Sequence, residues 1–596
     1  MKETSLDSQS NPESNNAVQN GNAPPAPSWI EHTPGSLWRS VFREDRFFLV
    51  LSVFIGVFAG LAVVCFRFAI DWSRLYFLGT GASLSPARML LAPTLAGFVI
   101  AVLVIHFFPM TRGSGVNQTK AALYIYNGHI PFRTAIGKFI TAALAIGSGH
   151  SLGPEDPSLQ IGACLASVVG RKMRLSRDRM RLIAPVGAAA GLAAAFNAPI
   201  SAVLFVIEEV IGRWTAGILG SVVLSAVSSV VVMRWFLGSE SLFRIPAVEL
   251  KRPTELIAYA ILGVVGGLAS VAFSSGIATL RPRCKALPKW TQYFQPAIAG
   301  LLIGIIALLG APQVMGAGYE YIDEAMHGQF TWEFLAILAG LKIVATLLSF
   351  VSGTPGGMFA PTLFIGAMLG AAVGGAEHVF LPHLAVSPGT YALVGMGVLF
   401  AGFLRAPMTS VFMVLEVSGN YSIIVPVIVA NTFAYVISRG LQPIPIFDML
   451  TRQDGLDLPS MEEQREEGIL RVEDAMRRAE GRVLDAAKTV DEALREVDHS
   501  EVEEVLVRLG PSGWSTVNRR ELLRFAAEGK GTSSLGSLLS ARNVPYLHPD
   551  HPLETALRYV DRWPIVPVVS RADFRQLEGV ISQGDVLERY REFGEG

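Results

Sequence analysis

Three hydrophobic patterns follow one another along the chain. Residues 1–36 are polar, rich in Ser, Asn and Pro, and contain no apolar run. They are expected to be a disordered tail and not a signal peptide. From Phe47 the stretches FFLVLSVFIGVFAGLAVVCF and MLLAPTLAGFVIAVLVIHFF are each long enough to span the roughly 30 Å of a bilayer core. ELIAYAILGVVGGLASVAFSSGI, FQPAIAGLLIGIIALLGA, FLAILAGLKIVATLLSFV and YSIIVPVIVANTFAYVI have the same quality. Between them lie shorter apolar runs broken by Gly and Pro, such as SLQIGACLASVVG, APISAVLFVI, GMFAPTLFIGAMLGAAVG and APMTSVFMVL. Such runs are too short to cross alone. Interrupted helices survive at membrane depth only where the freed backbone is buried in protein or lines a cavity. The interrupted runs cluster at 113–211 and again at 353–421, a pattern of transporters built from two inverted halves around a midplane site. No residue-level repeat is visible between the halves.

Beyond about Leu450 the pattern changes to that of a soluble α/β unit. VEDAM, VDEALREV, EVLVRLG and RRELLRF form a strand-and-helix series. It recurs as LGSLL, PLETALRYV, PIVPVV and GVISQGDVLERY, a weak two-fold repeat. Charge follows the same division: residues 451–596 hold 48 charged residues, against 51 in the first 450. The expected organisation is a tail (1–36), a transmembrane domain (37–450), a linker (451–467) and two small modules (468–530 and 531–596). The basic run GRKMRLSRDRMR (170–181) should face the cytosol by the positive-inside rule. The formal charge of −1 says nothing about nucleic acid, but no basic, aromatic-laced stripe appears, and no nucleic-acid partner is expected. Cys65, Cys164 and Cys284 have no metal-ligand spacing and are expected as buried thiols; no metal site is expected.

Four stretches place Gly, Ser or Pro directly before a helix at membrane depth: GSGVN (113–117), GSGHSLGPEDPSLQIG (147–162), GTPGGMFAPTLFIG (353–366) and LQPIPIF (441–447). A helix start carries free N–H groups and about half a positive charge. Several such starts converging would hold an anion without a full cation. A fixed Lys or Arg would bind it too tightly, and these runs show none. Glu155 and Asp156 follow Gly153-Pro154, and Glu208 and Glu209 end NAPISAVLFVI. Carboxylates at such depth mark ion or proton paths. One at an anion-attracting helix end can take the anion's own place, and protonation would release it. Asp156 is expected to cap a helix or to repel charge from its neighbour. Glu208 reads as an interfacial acid.

At these residues the chain resembles the CLC family of chloride channels and proton-coupled chloride transporters, as a prokaryotic-type member, over roughly 45–450. GSG (113–115) is similar to the family's first anion motif, which implies Ser114 as a central ligand. GPEDP (153–157) resembles G-x-E-G-P and implies Glu155 as the gating glutamate, with Asp156 replacing a glycine. GGMFAP (356–361) resembles G-x-F-x-P and implies anion binding by the backbone N–H groups of Met358 and Phe359. FNAPISAVLFVIEE (196–209) implies Glu209 as the internal proton glutamate. Val116-Asn117 replaces the usual Ile-Pro. The family's central tyrosine corresponds to Phe447 in IPIFDML, which keeps a ring and loses the hydroxyl; Tyr421 opens the preceding helix and does not stand in for it. The tail resembles a pair of cystathionine-β-synthase-type (CBS) modules. GVISQGD (579–585) implies Ser582 and Asp585 as residues that hold the ribose of an adenine nucleotide, with Asn518 and Glu521 in the equivalent stretch of the first module.

The resemblance implies a CLC-type polytopic α-helical membrane fold with a soluble CBS pair. It implies a proton-coupled chloride antiporter, with a passive voltage- or pH-gated chloride channel as the alternative. It also implies a homodimer joined through the apolar runs near 199–220 and 405–435, placed in lipid in a bacterial inner membrane with its CBS pair in the cytosol. Neither metal nor required cofactor is expected, and adenine nucleotide is a candidate ligand of the CBS modules. Glu209 is expected as a buried carboxylate without a partner, suited to exchanging protons. The competing class is an intramembrane hydrolase using Ser148, His150 and Ser151, but neighbours on one loop rarely form a nucleophile–base pair. No HExxH or Walker loop is present, and an enzyme is not expected.

Overall fold

The computed structural model describes residues 44–79, 85–212, 216–238, 243, 255–380, 388–456, 458, 470–479, 483–498, 504–509, 513–539, 544–570 and 576–594. The tail at 1–36 lies outside them, as do residues 457 and 459–467 of the linker. The first half of the membrane domain contains α1 (Glu44–Phe77), α2 (Pro86–Val102), α3 (Gly115–Tyr124), α4 (Phe132–Ser148), α5 (Glu155–Lys172), α6 (Arg177–Phe196), α7 (Pro199–Phe205) and α8 (Ala216–Leu237). The second contains α9 (Glu255–Ala286), α10 (Gln295–Leu308), α11 (Tyr319–Met326), α12 (Trp332–Val351), α13 (Phe359–Phe380), α14 (Pro388–Leu404), α15 (Pro407–Ser418), α16 (Ile424–Leu441) and α17 (Ile446–Gln453). Among the described residues, eight helices are long and apolar enough to cross a membrane. Two expectations shift. The segment at 295–308 is a shorter helix, because Gly310 and Pro312 end it early, and α13 is long enough to span because its glycines stay helical.

The halves do repeat at residue level, contrary to the sequence reading. Gly153 and Gly357 exchange N–H···O bonds in both directions (2.8 and 2.9 Å), an antiparallel pair whose geometry is two-fold. A Cβ on Gly357 would press on the Asp156 Cβ, and one on Gly153 on the Ala360 Cβ, so only glycine allows this approach. Around the pair the contacts recur. Gly97 of α2 packs on the Pro296 carbonyl, and Gly300 of α10 on the Pro93 carbonyl. Gly162 and Gly187 cross backbone to backbone between α5 and α6, as Gly366 and Gly395 do between α13 and α14. The matching segments are APISAVLFVIEE (198–209) and APMTSVFMVLEV (406–417), whose kinship is visible only once aligned on the axis.

Glu208 and Glu416 express the same symmetry. Glu416 accepts from Ile200 N (2.9 Å), Ser201 N (2.7 Å) and the Ser201 hydroxyl (2.5 Å) at the start of α7. Glu208 accepts from Met408 N (3.5 Å), Thr409 N (3.0 Å) and the Thr409 hydroxyl (2.8 Å) at the start of α15. Each acid therefore caps the other half's helix, satisfying N–H groups that lack intrahelical partners. Glu208 is thus a structural cap.

In the tail, β1 (Val483–Asp485), β2 (Glu504–Arg508) and β3 (Trp514–Asn518) form one sheet, β1 parallel and β3 antiparallel to β2. The strands β4 (Ile565–Val569) and β5 (Leu577–Ser582) pair antiparallel. The modules exchange their opening segments: Leu470, Val472 and Ala475 pack in the core of the second, while Leu535 packs in that of the first. The boundary near 530 is therefore one of sequence, crossed by packing in both directions.

Of the cysteines, Cys164 is buried, Cys284 is half-buried and Cys65 is exposed on α1, correcting the expectation of three buried thiols. The exposed face of α1 also carries Phe54, Phe58 and Phe68, so it is an outward apolar surface.

Glu416→Ala should lower stability by about 1–2 kcal/mol, the usual value of a helix cap, and Glu208→Ala should do so to a similar extent because the caps are reciprocal. Thermal unfolding of the detergent-solubilised protein followed by tryptophan fluorescence checks both.

Candidate functional site

The four glycine- or proline-led helix starts come together. The Gly153–Gly357 pair sets the first turns of α5 and α13 against each other. The start of α3 joins them through Gly115 N, which donates to Asp156 Oδ1 (2.5 Å). The start of α17 joins through the Asn117 side chain, which donates to the Phe447 carbonyl (3.1 Å). Glu155 then closes the cluster: its Oε2 accepts from Ala360 N (3.2 Å) at the start of α13, and its Oε1 accepts from the Tyr319 hydroxyl. The Glu155 carboxylate is fully buried and sits on a helix N-terminus of the opposite half, where helix ends favour negative charge.

Met358 and Phe359 are buried at the entry to α13, beside the N–H that Glu155 engages. The ring of Phe359 packs within a cluster of Phe205 (5.0 Å between centroids), Phe400 (5.7 Å), Phe196 (6.1 Å) and Phe447 (6.3 Å). These rings bring no side-chain acceptor atoms of their own to the site. Ser114 is the N-cap of α3, its oxygen accepting from Val116 N (3.2 Å).

Asp156 caps α3, not its own helix as one reading of the sequence expected. It lies among Ser114, Gly115 and Val116, and so engages the serine that the resemblance assigned to an anion. Lys138 of α4 stands behind this turn, fully buried, donating to the Thr111 (3.1 Å) and Gly113 (2.8 Å) carbonyls. Lys342 of α12 does the same for the Val314 (2.9 Å) and Gly316 (2.8 Å) carbonyls.

One sequence expectation fails here. Glu209 is buried but not alone: Lys120 Nζ lies 2.5 Å from its Oε1 and 3.3 Å from Asp448 Oδ1. The four helix-start runs hold no lysine, but Lys120, Lys138 and Lys342 stand buried outside them. Sequence reasoning missed them because each stands singly in an apolar run; the signal was a charged residue on the helix face that the repeat buries. Lys120 also lies 5.9 Å from the centroid of the Phe447 ring. The adjacent acids Glu208 and Glu209 lie in the π-helical turn Val206–Ile211 and reach different partners, since neighbours on a helix point about 100° apart.

The hydrolase arrangement is not assembled. Ser148 donates to the Ala145 carbonyl, Ser151 bonds Thr346, and His150 Nε2 lies 3.1 Å from the Pro93 carbonyl. In the tail, Ser582 and Asp585 form a capping box at the start of α18 (Gln583–Gly594): Ser582 N donates to Asp585 Oδ2 (2.9 Å), and Asp585 N donates back to the Ser582 hydroxyl (3.3 Å). Arg477 Nε sits 2.5 Å from Asp585 Oδ1. A cavity of about 130 Å³ lies instead at the first module's equivalents, lined by Thr516, Asn518, Glu521, Arg562 and Trp563.

Lys120→Met should destabilise by about 3–5 kcal/mol, because it leaves two carboxylates buried without their cation. Adding Glu209→Gln and Asp448→Asn should recover part of that loss, as read from the melting temperature in detergent.

The family model described as voltage gated chloride channel matches residues 96–439, and that of the CBS domain matches 536–592. A putative chloride channel protein ClcB-like of Ralstonia nicotianae is 30% identical over 425 residues, covering 69% of this chain and 99% of that protein. The H(+)/Cl(−) exchange transporter ClcA of Vibrio campbellii is 32% identical over 417 residues, covering 67% and 88%. The crystal structure of a slow cyanobacterial Cl−/H+ antiporter superposes with a TM-score of 0.63 at 26% identity, over 68% of this chain and 97% of the other. With the repeated halves, the converging helix starts and these likenesses together, the chain belongs to the CLC family of voltage-gated-chloride-channel-type membrane proteins and carries a C-terminal CBS domain.

Proposed function

We propose that this chain exchanges chloride for protons across a membrane. The observation that carries the reading is the Glu155 carboxylate, seated on the Ala360 N–H where a helix start would otherwise meet an anion. A carboxylate and a chloride compete for the same donors, so protonating Glu155 weakens its hold and admits the anion. Glu209, buried with Lys120 and Asp448 on another side of the phenylalanine cluster, is the second proton station. Lys120 offsets part of the charge there, so one carboxylate of the group can gain or lose a proton without leaving a bare cation. Ser114 and the N–H groups of Met358 and Phe359 hold the anion, and Phe447 walls it without contributing a hydroxyl. The relatives named as H(+)/Cl(−) exchangers support this reading.

The protein acts as a homodimer, each subunit with its own pathway. The exposed side chains Ile200, Met408, Val425 and Ile428, beside the Glu208–Glu416 caps, supply the apolar contact. It lies in a bacterial inner membrane with the CBS pair in the cytosol. Adenine nucleotide is the proposed ligand of that pair, and neither a metal nor a required cofactor enters the transport step.

In liposomes with an imposed chloride gradient, protons should move against their own gradient. Glu155→Gln should abolish proton movement and leave chloride flux insensitive to pH. Glu209→Gln should stop protons but keep chloride flux, since that residue stands outside the anion's way. Wild-type chloride flux with no proton movement would instead establish the channel reading. For the tail, equilibrium binding of radiolabelled ATP should weaken at least tenfold in Ser582→Ala/Asp585→Ala; unchanged binding would move the site to the Asn518–Glu521 cavity.

A further inference from the structure

We propose that the Tyr319 hydroxyl is a shared donor of the gate position, holding the Glu155 carboxylate when the pathway is closed and donating to the anion that replaces it when Glu155 leaves. The inference rests on the reading of Glu155 as the gate and adds a residue that the sequence motifs did not select.

The local two-fold brings Tyr319 to this place. Gly113-Ser114-Gly115 leads into α3, with Lys138 bonded to the carbonyls of Thr111 and Gly113. Gly316-Ala317-Gly318 leads into α11, with Lys342 bonded to the carbonyls of Val314 and Gly316. The two loops are therefore built and braced alike, and each delivers a helix start toward the axis that runs through Gly153 and Gly357. The serine of the first loop has only an alanine, Ala317, as its counterpart, so the second loop lacks a hydroxyl at that point. Tyr319, the first residue of α11, supplies one instead.

Three features place Tyr319. Phe243 packs against it (6.3 Å between centroids). Gly318, at φ +85°, sets the turn that aims α11, with Phe364 close behind. Arg74 of α1 grips the next residue, Glu320, through two bonds of 2.7 and 2.9 Å, tying α11 to the first half. Tyr319 lines a cavity of about 260 Å³ that Arg67, Asp71 and Pro154 also line, and its hydroxyl donates to the Glu155 carboxylate. The hydroxyl thus stands between a polar, arginine-bearing vestibule and the buried start of α13. Ala360 N holds one carboxylate oxygen and Tyr319 the other, so removing the carboxylate leaves two convergent donors, one amide and one phenol, facing the same vacated volume. An anion entering from the vestibule meets both.

The experiment uses the full chain. In the Glu155→Gln background, where no carboxylate competes, chloride binding is measured by isothermal titration in detergent. Adding Tyr319→Phe should weaken the affinity by roughly tenfold or more, the usual effect of losing one hydrogen bond to a charged group. With Glu155 intact, Tyr319→Phe should raise chloride flux into liposomes several-fold at fixed pH, since the gate is held less firmly. Because phenylalanine keeps the ring, the melting temperature should stay within a few degrees of the parent. Chloride affinity unchanged within twofold in the Glu155→Gln background would overturn the shared-donor role, and so would unchanged or reduced flux with Glu155 intact. Failure of antiport itself would appear separately, as chloride flux without proton movement, and would leave the binding comparison valid.

Discussion

Everything in the membrane domain hangs on one backbone contact, the reciprocal pair between Gly153 and Gly357. Two helix starts carry partial positive charge and would repel if brought nose to nose. The exchange of two N–H···O bonds offsets that cost and satisfies four backbone groups at a depth where water is not available. It also sets α5 and α13 about a two-fold axis, so the remaining N–H groups of both starts face a common space. The Glu155 carboxylate supplies the negative charge that such a space favours.

Symmetry built this scaffold, and its breaking built the chemistry. Glycines and caps recur in both halves: Gly162 and Gly366, Gly187 and Gly395, Glu208 and Glu416. The working residues do not. Glu155 stands opposite Phe359, Asp156 opposite Ala360, Glu209 opposite Val417, and Ser114 opposite Ala317. A fully symmetric site would put a carboxylate on both helix starts, and the two charges would repel across the bridge. One acid facing one apolar ring leaves a single exchangeable negative charge at the site.

The broken helices, the soluble α/β tail and the helix starts were legible in the sequence because Gly, Pro and apolar length are local signals. The repeat was not, since it is carried by shapes and spacings in which Ile faces Met and Ser faces Thr. Glu208 and Glu209 were told apart only by the family resemblance, because two adjacent acids give no local signal of what each will meet. Lys120 escaped notice for the opposite reason: an isolated lysine near a helix end normally snorkels to the interface, and only packing shows that this one turns inward. Ser582 and Asp585 were found as a motif, yet their spacing serves a helix cap equally well, and the structure shows that bonding directly.

The buried lysines divide by partner, and the division follows position. Lys138 and Lys342 donate to pairs of carbonyls in the loops that precede α3 and α11, so they brace backbone and touch no carboxylate oxygen at hydrogen-bond distance. Lys120 touches two carboxylates. A bare cation beside an anion site would trap the ion, whereas one already shared between Glu209 and Asp448 has its field largely spent on them. The ring of Phe447 stands next to Lys120 and presents no hydroxyl through which its charge could be passed on. On the opposite side the donors are neutral, namely the Ala360 amide and the Tyr319 phenol. On the proposed reading of Glu155 as the gate, neutral donors can hold it and then release it, which a fixed cation at that point would prevent. The same distinction explains why the arginines of the vestibule stay outside: Arg74 is half-exposed and already bound to Glu320, so it can draw anions toward the entrance without holding them.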